Sequence, residues 1–120
     1  MTGRFAVYTD ADIHGPVVDA LLLRDWDLVR AVDVFPEATD DPDHFEEAIR
    51  QGRVFVSNDS DVKDLAERWL AERRLFPGLV WWPRKHYKRM TVSDCVEAFE
   101  QLAQQDQPFA NYPIVFLKPE

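Results

Sequence analysis

The stretch "RVFVSNDSDVKDLAERWL", residues 53–70, changes its period halfway along. Residues 53–57 form a short run with no polar alternation in its apolar part, as suits a strand buried on both faces. Val62, Leu65, Ala66, Trp69 and Leu70 then recur at i, i+3, i+4, i+7 and i+8, which is one face of a helix. Asn58, Asp59 and Asp61 fill the join, so charge stands where a buried strand ends.

The same succession repeats on both sides. "FAVYT" (5–9) reads as a first strand and "PVVDALLLR" (16–24) as a helix with Pro16 in its first turn. "WDLVRAV" (26–32) reads as a second strand, and an acidic loop then leads into a short helix closed by Gly52. "GLVWW" (78–82) and "YPIVFL" (112–117) read as the fourth and fifth strands. The helical face Val92, Cys95, Val96, Phe99, Leu102 and Ala103 lies between them. Strands alternating with helices predict a single α/β domain over 1–120, with three α/β/α layers and a mostly parallel sheet of about five strands.

Parallel strands joined by right-handed crossovers all point one way, and ligands of such sheets bind beyond the carboxyl ends of the strands. Asp10 and Asp12 follow the first strand, and Asn58, Asp59 and Asp61 follow the third. Asp40, Asp41 and Asp43 open the helix after the second strand, on the same edge. Helix capping is the competing reading, and Asp61 and Asp41 are the residues it fits best. Asp10 and Asp59 abut the strand ends and fit it less well. Carboxylates gathered on one rim repel each other unless a cation offsets them. Oxygen donors from several loops suit Mg²⁺ or Mn²⁺, ions that activate water and neutralise phosphate.

Composition limits the partners. No apolar run approaches the ~20 residues that span a bilayer, and the opening residues do not read as a signal peptide. One cysteine, Cys95, excludes an internal disulfide and fits a reducing, cytoplasmic setting. It falls on an apolar helix face and reads as core. The net charge of -8 argues against nucleic-acid binding over the whole surface, which runs on excess Lys and Arg. "PRKHYKRM" (83–90) is the exception: Arg84, Lys85, Lys88 and Arg89, beside Tyr87 and Trp82, suit a single-stranded phosphate backbone and a stacked base. A solvated loop is the alternative for such a charge run. His14 and His86 offer general bases, although metal-bound water needs none.

The segments "FAVYTDADIHGPVVDALLLRDWDLVRAVD", "DPDHFEEAIRQG", "RVFVSNDSDV" and "FPGLVWWP", in that order, resemble the small PIN-like family that carries the DUF5615 domain. The resemblance covers nearly the whole chain. It implies a PIN-like fold and a Mg²⁺- or Mn²⁺-dependent ribonuclease, often the toxin of a toxin–antitoxin pair. Single-stranded RNA and an antitoxin protein would be the partners, and a homodimer stays open. By position, Asp10, Asp41, Asp59 and Asp61 would hold the metal, with Asp12, Asn58 and Asp40 in support. The family's usual Glu after the first Asp is Ala11 here, so Asp12 would supply any second charge on that loop. Ser57 stands for Thr and Val62 for Phe. Two other readings compete: a non-catalytic binding module with an acidic rim, and a receiver-like phospho-acceptor domain, which "LKPE" at 117–120 mimics. A phosphatase of the Asp-x-Asp kind matches "TDADI" but lacks the residues that should follow.

Overall fold

The computed structural model describes residues 4–10, 13, 15–34, 41–83, 89–105, 107–110 and 112–116, and of residues 41 and 42 the backbone alone. Five strands are present: β1 (Val7–Thr9), β2 (Leu28–Arg30), β3 (Val54–Ser57), β4 (Leu79–Trp81) and β5 (Ile114–Phe116). Between them run α1 (Gly15–Leu23), α2 (Ala31–Val34), α3 (Asp41–Arg50), α4 (Ser60–Ala71) and α5 (Val92–Gln104). Every strand pairing is parallel, in the order β2-β1-β3-β4-β5.

Alternation along the strands sorts the core into two layers. Val7, Val54, Val56 and Val80 pack with α1 residues Val17, Val18 and Leu21 and α5 residues Cys95, Val96, Phe99 and Leu102. Tyr8, Phe55, Leu79 and Ile114 face the other way, against Ala31 of α2, Phe45 and Ala48 of α3, and Val62, Ala66 and Trp69 of α4. The result is the expected three-layer α/β/α domain. The central strands β1 and β3 are wholly buried, whereas β2 and β5, at the edges, are partly exposed.

Two boundaries differ from the sequence reading. The second strand ends at Arg30, because Ala31 turns into the short helix α2 and buries itself under the sheet. Helix α3 already includes Asp41, which the capping reading had placed just before the helix.

Three helices end alike. After α3, the Gly52 N–H donates to Ile49 O and the Arg53 N–H to Ala48 O, both at 2.9 Å, with Gly52 at φ 68°. This is the Schellman closure. Asp25 after α1 (φ 66°) and Arg73 after α4 (φ 60°) take the same left-handed position without being glycine. All three ends lie at the amino edge of the sheet, opposite the acidic loops.

Strand order creates a switch point. Chain leaving β1 crosses through α1 on one face, and chain leaving β3 continues into α4 on the other. The carboxyl ends of β1 and β3 therefore flank the crevice that doubly wound sheets use for ligands.

Candidate functional site

At that crevice the ladder runs one residue past the strand. Asp10 N–H donates to Val56 O at 2.9 Å, which sets Asp10 beside Ser57. The Ser57 hydroxyl donates to Asp10 Oδ2 at 2.9 Å and accepts the Asp59 N–H at 3.1 Å. One fully buried hydroxyl thus joins both acidic loops. Five polar residues are buried among the described residues: Thr9, Asp10, His44, Ser57 and Asn58. Four of them sit at the ends of β1 and β3. Buried polar groups cost stability unless they are paired, so the gathering of these four at the switch point marks a place where the described core departs from apolar packing.

Asp10 is 8% exposed, a carboxylate held in place at a strand end. Asp59 is half-buried and does two jobs. Its side chain caps α4, with Oδ1 accepting the Asp61 N–H at 2.9 Å, and its carbonyl accepts from Val62. The cap is therefore Asp59 and not Asp61, which is exposed in the first helical turn. The reason is that Ser60 already has helical geometry, so the last extended residue is Asp59. Asp61 still favours this helix end by placing negative charge near its amino terminus.

Helix α3 reaches the same edge. Its His44, one turn after Asp41, is buried and hydrogen-bonds through Nδ1 to Tyr8 Oη at 3.0 Å. Burial first, then the charges of Glu47 and Asp10, push the Tyr8 phenol up to about 12, so it stays protonated. This hydrogen bond anchors the first turn of α3 to β1 two residues below Asp10. Sequence reasoning passed over His44, and named Ser57 only as the counterpart of the family's Thr, without a role at the site. A signal existed for His44, which shares the apolar face of "DPDHFEEAIR" with Phe45 and Ala48.

Not every expected residue falls within view. Asp12, Asp40, Arg84, Lys85, Lys88, His14, His86 and Tyr87 lie outside the described residues, as does the side chain of Asp41. Arg89 is described and exposed. Trp82, expected beside the basic stretch as a stacking surface, is instead buried in the α1/α5 layer with Val80. Strand alternation is the cause: Trp81 faces α4, so Trp82 must face the opposite way. Cys95 is buried, as its helical face predicts, and burial pushes its thiol up to about 12, which makes it a poor nucleophile. A hollow of about 330 Å³ on α3 is lined by Asp43, Glu46, Glu47 and Arg50, where Arg50 already pairs with Glu47.

Among the described residues, no three His, Cys, Asp or Glu side chains converge as a metal-holding group. Asp10 and Asp59 nevertheless supply oxygen donors from adjacent strand ends. Mg²⁺ commonly binds through one or two carboxylates while keeping several waters, so the donor chemistry present fits such an ion. No helix among the described residues is long and apolar enough to cross a membrane. No family model, curated protein or solved structure matches the chain.

Proposed function

We propose that this is a PIN-like, Mg²⁺- or Mn²⁺-dependent ribonuclease that cuts single-stranded RNA in the cytoplasm, in the manner of a toxin held by an antitoxin. The observation that carries the reading is the buried polar set at the switch point, with Asp10 fixed by the Ser57 hydroxyl. Asp10 and Asp59 would hold the ion, with Asp41 and Asp61 completing the acidic rim. A bound divalent ion there supplies Lewis acidity and a low-pKa water. Ser57 keeps the Asp10 carboxylate from swinging away and fixes the start of the Asp59 loop. Asp59 follows β3 by two residues and caps α4, so it is tied to the strand end through Ser57 and to the helix through Asp61 N–H. Arg84, Lys85, Lys88 and Arg89 would hold phosphate.

The cap makes a clean experiment available. Asn caps a helix as well as Asp does, so Asp59→Asn keeps α4 and removes one negative charge. With labelled single-stranded RNA, the wild-type protein should cleave in Mn²⁺ and stop in EDTA. Asp10→Asn and Asp59→Asn should each abolish cleavage while retaining a cooperative melt. Mn²⁺ should raise the wild-type melting temperature by several degrees and leave Asp59→Asn unmoved. Full cleavage by both variants would sink the assignment.

One observation keeps a second reading alive. The order β2-β1-β3-β4-β5 is the doubly wound order that a receiver-like domain requires. Asp59 would then accept a phosphoryl group. Incubation with a small phosphodonor, followed by intact mass, separates the two, because only the phospho-acceptor gains mass.

A further inference from the structure

The strand registers draw a single row across the carboxyl edge of the sheet. Thr9 pairs with Val56, Ser57 with Trp81, and Trp81 with Phe116, so the row reads Asp10, Ser57, Trp81, Phe116. All four residues belong to the sheet face that α3 and α4 cover, by alternation from Tyr8, Phe55, Leu79 and Ile114. One half of the row is polar and the other half is aromatic.

The aromatic half is open. Phe116 is 50% exposed and meets Trp81 edge to face, with ring centroids 5.2 Å apart. Above them, Lys63 of α4 places its ammonium 5.0 Å from the Trp81 ring centroid and 5.9 Å from that of Phe116. Glu67 holds the same ammonium at 2.7 Å and so fixes its position. Strands about 4.8 Å apart put Phe116 roughly 14 Å from Asp10 along the row, a distance that a short length of single strand spans.

A ligand lying along this row meets carboxylates at one end, suited to a bridging cation and a phosphate. At the other end it meets an exposed ring with a fixed cation. A flat, uncharged ring attached to an anionic backbone satisfies both ends at once. Base stacking on an aromatic side chain beside a basic group is the usual device for holding single strands without regard to sequence. Resting on the nuclease reading above, we propose that Phe116, backed by Trp81 and Lys63, is a base-stacking subsite for single-stranded nucleic acid entering the Asp10–Asp59 site. The subsite gives Phe116 the stacking role that the sequence reading had given to an aromatic beside the basic stretch.

The test is binding in EDTA, which takes cleavage out of the measurement. Fluorescence anisotropy compares a labelled oligouridylate with a strand of equal length and charge that carries no bases. The wild-type protein should prefer the base-bearing strand by about tenfold. Phe116→Leu keeps an apolar, half-exposed side chain but has no ring, and it should lose that preference. Phe116→Tyr should restore it. Lys63→Gln should weaken both strands alike and reduce the slope of log affinity against log salt by about 0.7, one phosphate contact. A wild-type protein with no preference, or a Phe116→Leu protein that keeps it, overturns the subsite. Cleavage in Mn²⁺ is scored separately. Base preference without Mn²⁺-dependent cleavage leaves the subsite standing and removes the nuclease reading. Cleavage together with an unchanged preference in Phe116→Leu removes the subsite alone.

Discussion

The two layers of side chains on the sheet do different work. Against α1 and α5, valines from three strands meet Phe99, Trp26 and the buried Cys95, and the charged groups stay at the margin. There Arg4 grips Glu100 with two bonds of 3.0 Å, and the Trp26 indole donates to the same carboxylate at 2.6 Å. Against α3 and α4 the core is an aromatic cluster: Tyr8 stacks on Phe55, and Phe45 meets Phe55, Trp69 and Phe76. That layer carries a buried Tyr–His pair, and its row of residues ends in Asp10 and Ser57 at the crevice. Buried polar groups cost stability, and Asp10, Ser57 and His44 lie on the α3/α4 side, whereas Thr9 and Asn58 alternate onto the other. The buried carboxylate of Asp10 and its hydroxyl partner are therefore on the α3/α4 side, and the α1/α5 layer is apolar away from its strand ends.

The largest effect should come from breaking the plain layer. Phe99 is 1% exposed and packs edge to face on Trp26 at 5.9 Å. Phe99→Ala should cost about 3–5 kcal/mol, a loss of transfer energy plus a cavity. If the layers are separable, the surviving folded protein should keep the full rise in melting temperature on adding Mn²⁺. Loss of the Mn²⁺ increment in a protein that still melts cooperatively would show that the layers are coupled.

Ser57→Ala probes the other layer with a smaller lesion. It strips a charge-assisted hydrogen bond from the buried Asp10 and an acceptor from the Asp59 N–H. The expected cost is about 2 kcal/mol, with a marked loss of Mn²⁺ response. Thermal melts with EDTA and with Mn²⁺ measure both quantities. An unaltered Mn²⁺ increment in Ser57→Ala would remove the hydroxyl from any role at the site.

What the sequence tells, and what it does not, follows the same division. Unbroken runs such as "VFVS" announce buried parallel strands, and from parallel strands the acidic rim follows by topology alone. Strand order does not follow, because nothing in an apolar run says that β1 pairs with β3 as well as β2. Two acids two residues apart, Asp59 and Asp61, both suit a cap, and only the backbone at Ser60 distinguishes them. Adjacent tryptophans at 81 and 82 must face opposite ways, yet their identity cannot show which one is buried. Ser57 was visible as the polar end of an apolar strand, but its bond to Asp10 depends on a pairing 47 residues distant.

Acid separates the layers without a large mutation. Hydrogen bonding from Arg4, with help from Trp26, holds the Glu100 carboxyl below the usual carboxylate range. A depressed folded value means a contribution that is complete above the unfolded value of about 4.3 and vanishes as pH falls through the lower folded value. Glu100→Gln should therefore lower the melting temperature at pH 7, and the gap to wild type should close below about pH 4. Its Mn²⁺ increment at pH 7 should match wild type, since Glu100 belongs to the plain layer. A gap that persists unchanged into acid would mean that the glutamate acts through packing and not through charge.

The smallest effects should come from the helix ends at the amino edge, far from the crevice. Gly52, Asp25 and Arg73 occupy the same left-handed closure after α3, α1 and α4. Side chains with a Cβ are strained there by about 1–2 kcal/mol, less for Asp, whose short polar side chain tolerates the region. Glycine removes the strain but adds freedom to the unfolded chain, which takes back part of the gain. Arg73→Gly should thus stabilise by about 1 kcal/mol and Asp25→Gly by about half of that. Gly52→Ala is the reverse control. A Cβ at Gly52 meets nothing within 4 Å, so its expected cost of about 1 kcal/mol is backbone strain alone. Because α1 serves one layer and α3 and α4 the other, all three variants should move stability while Mn²⁺ response stays put. Urea melts with and without Mn²⁺ check this. A helix-end variant on α3 or α4 that shifts the Mn²⁺ increment, while Asp25→Gly does not, would mean that the α3/α4 layer transmits strain from one edge of the sheet to the other.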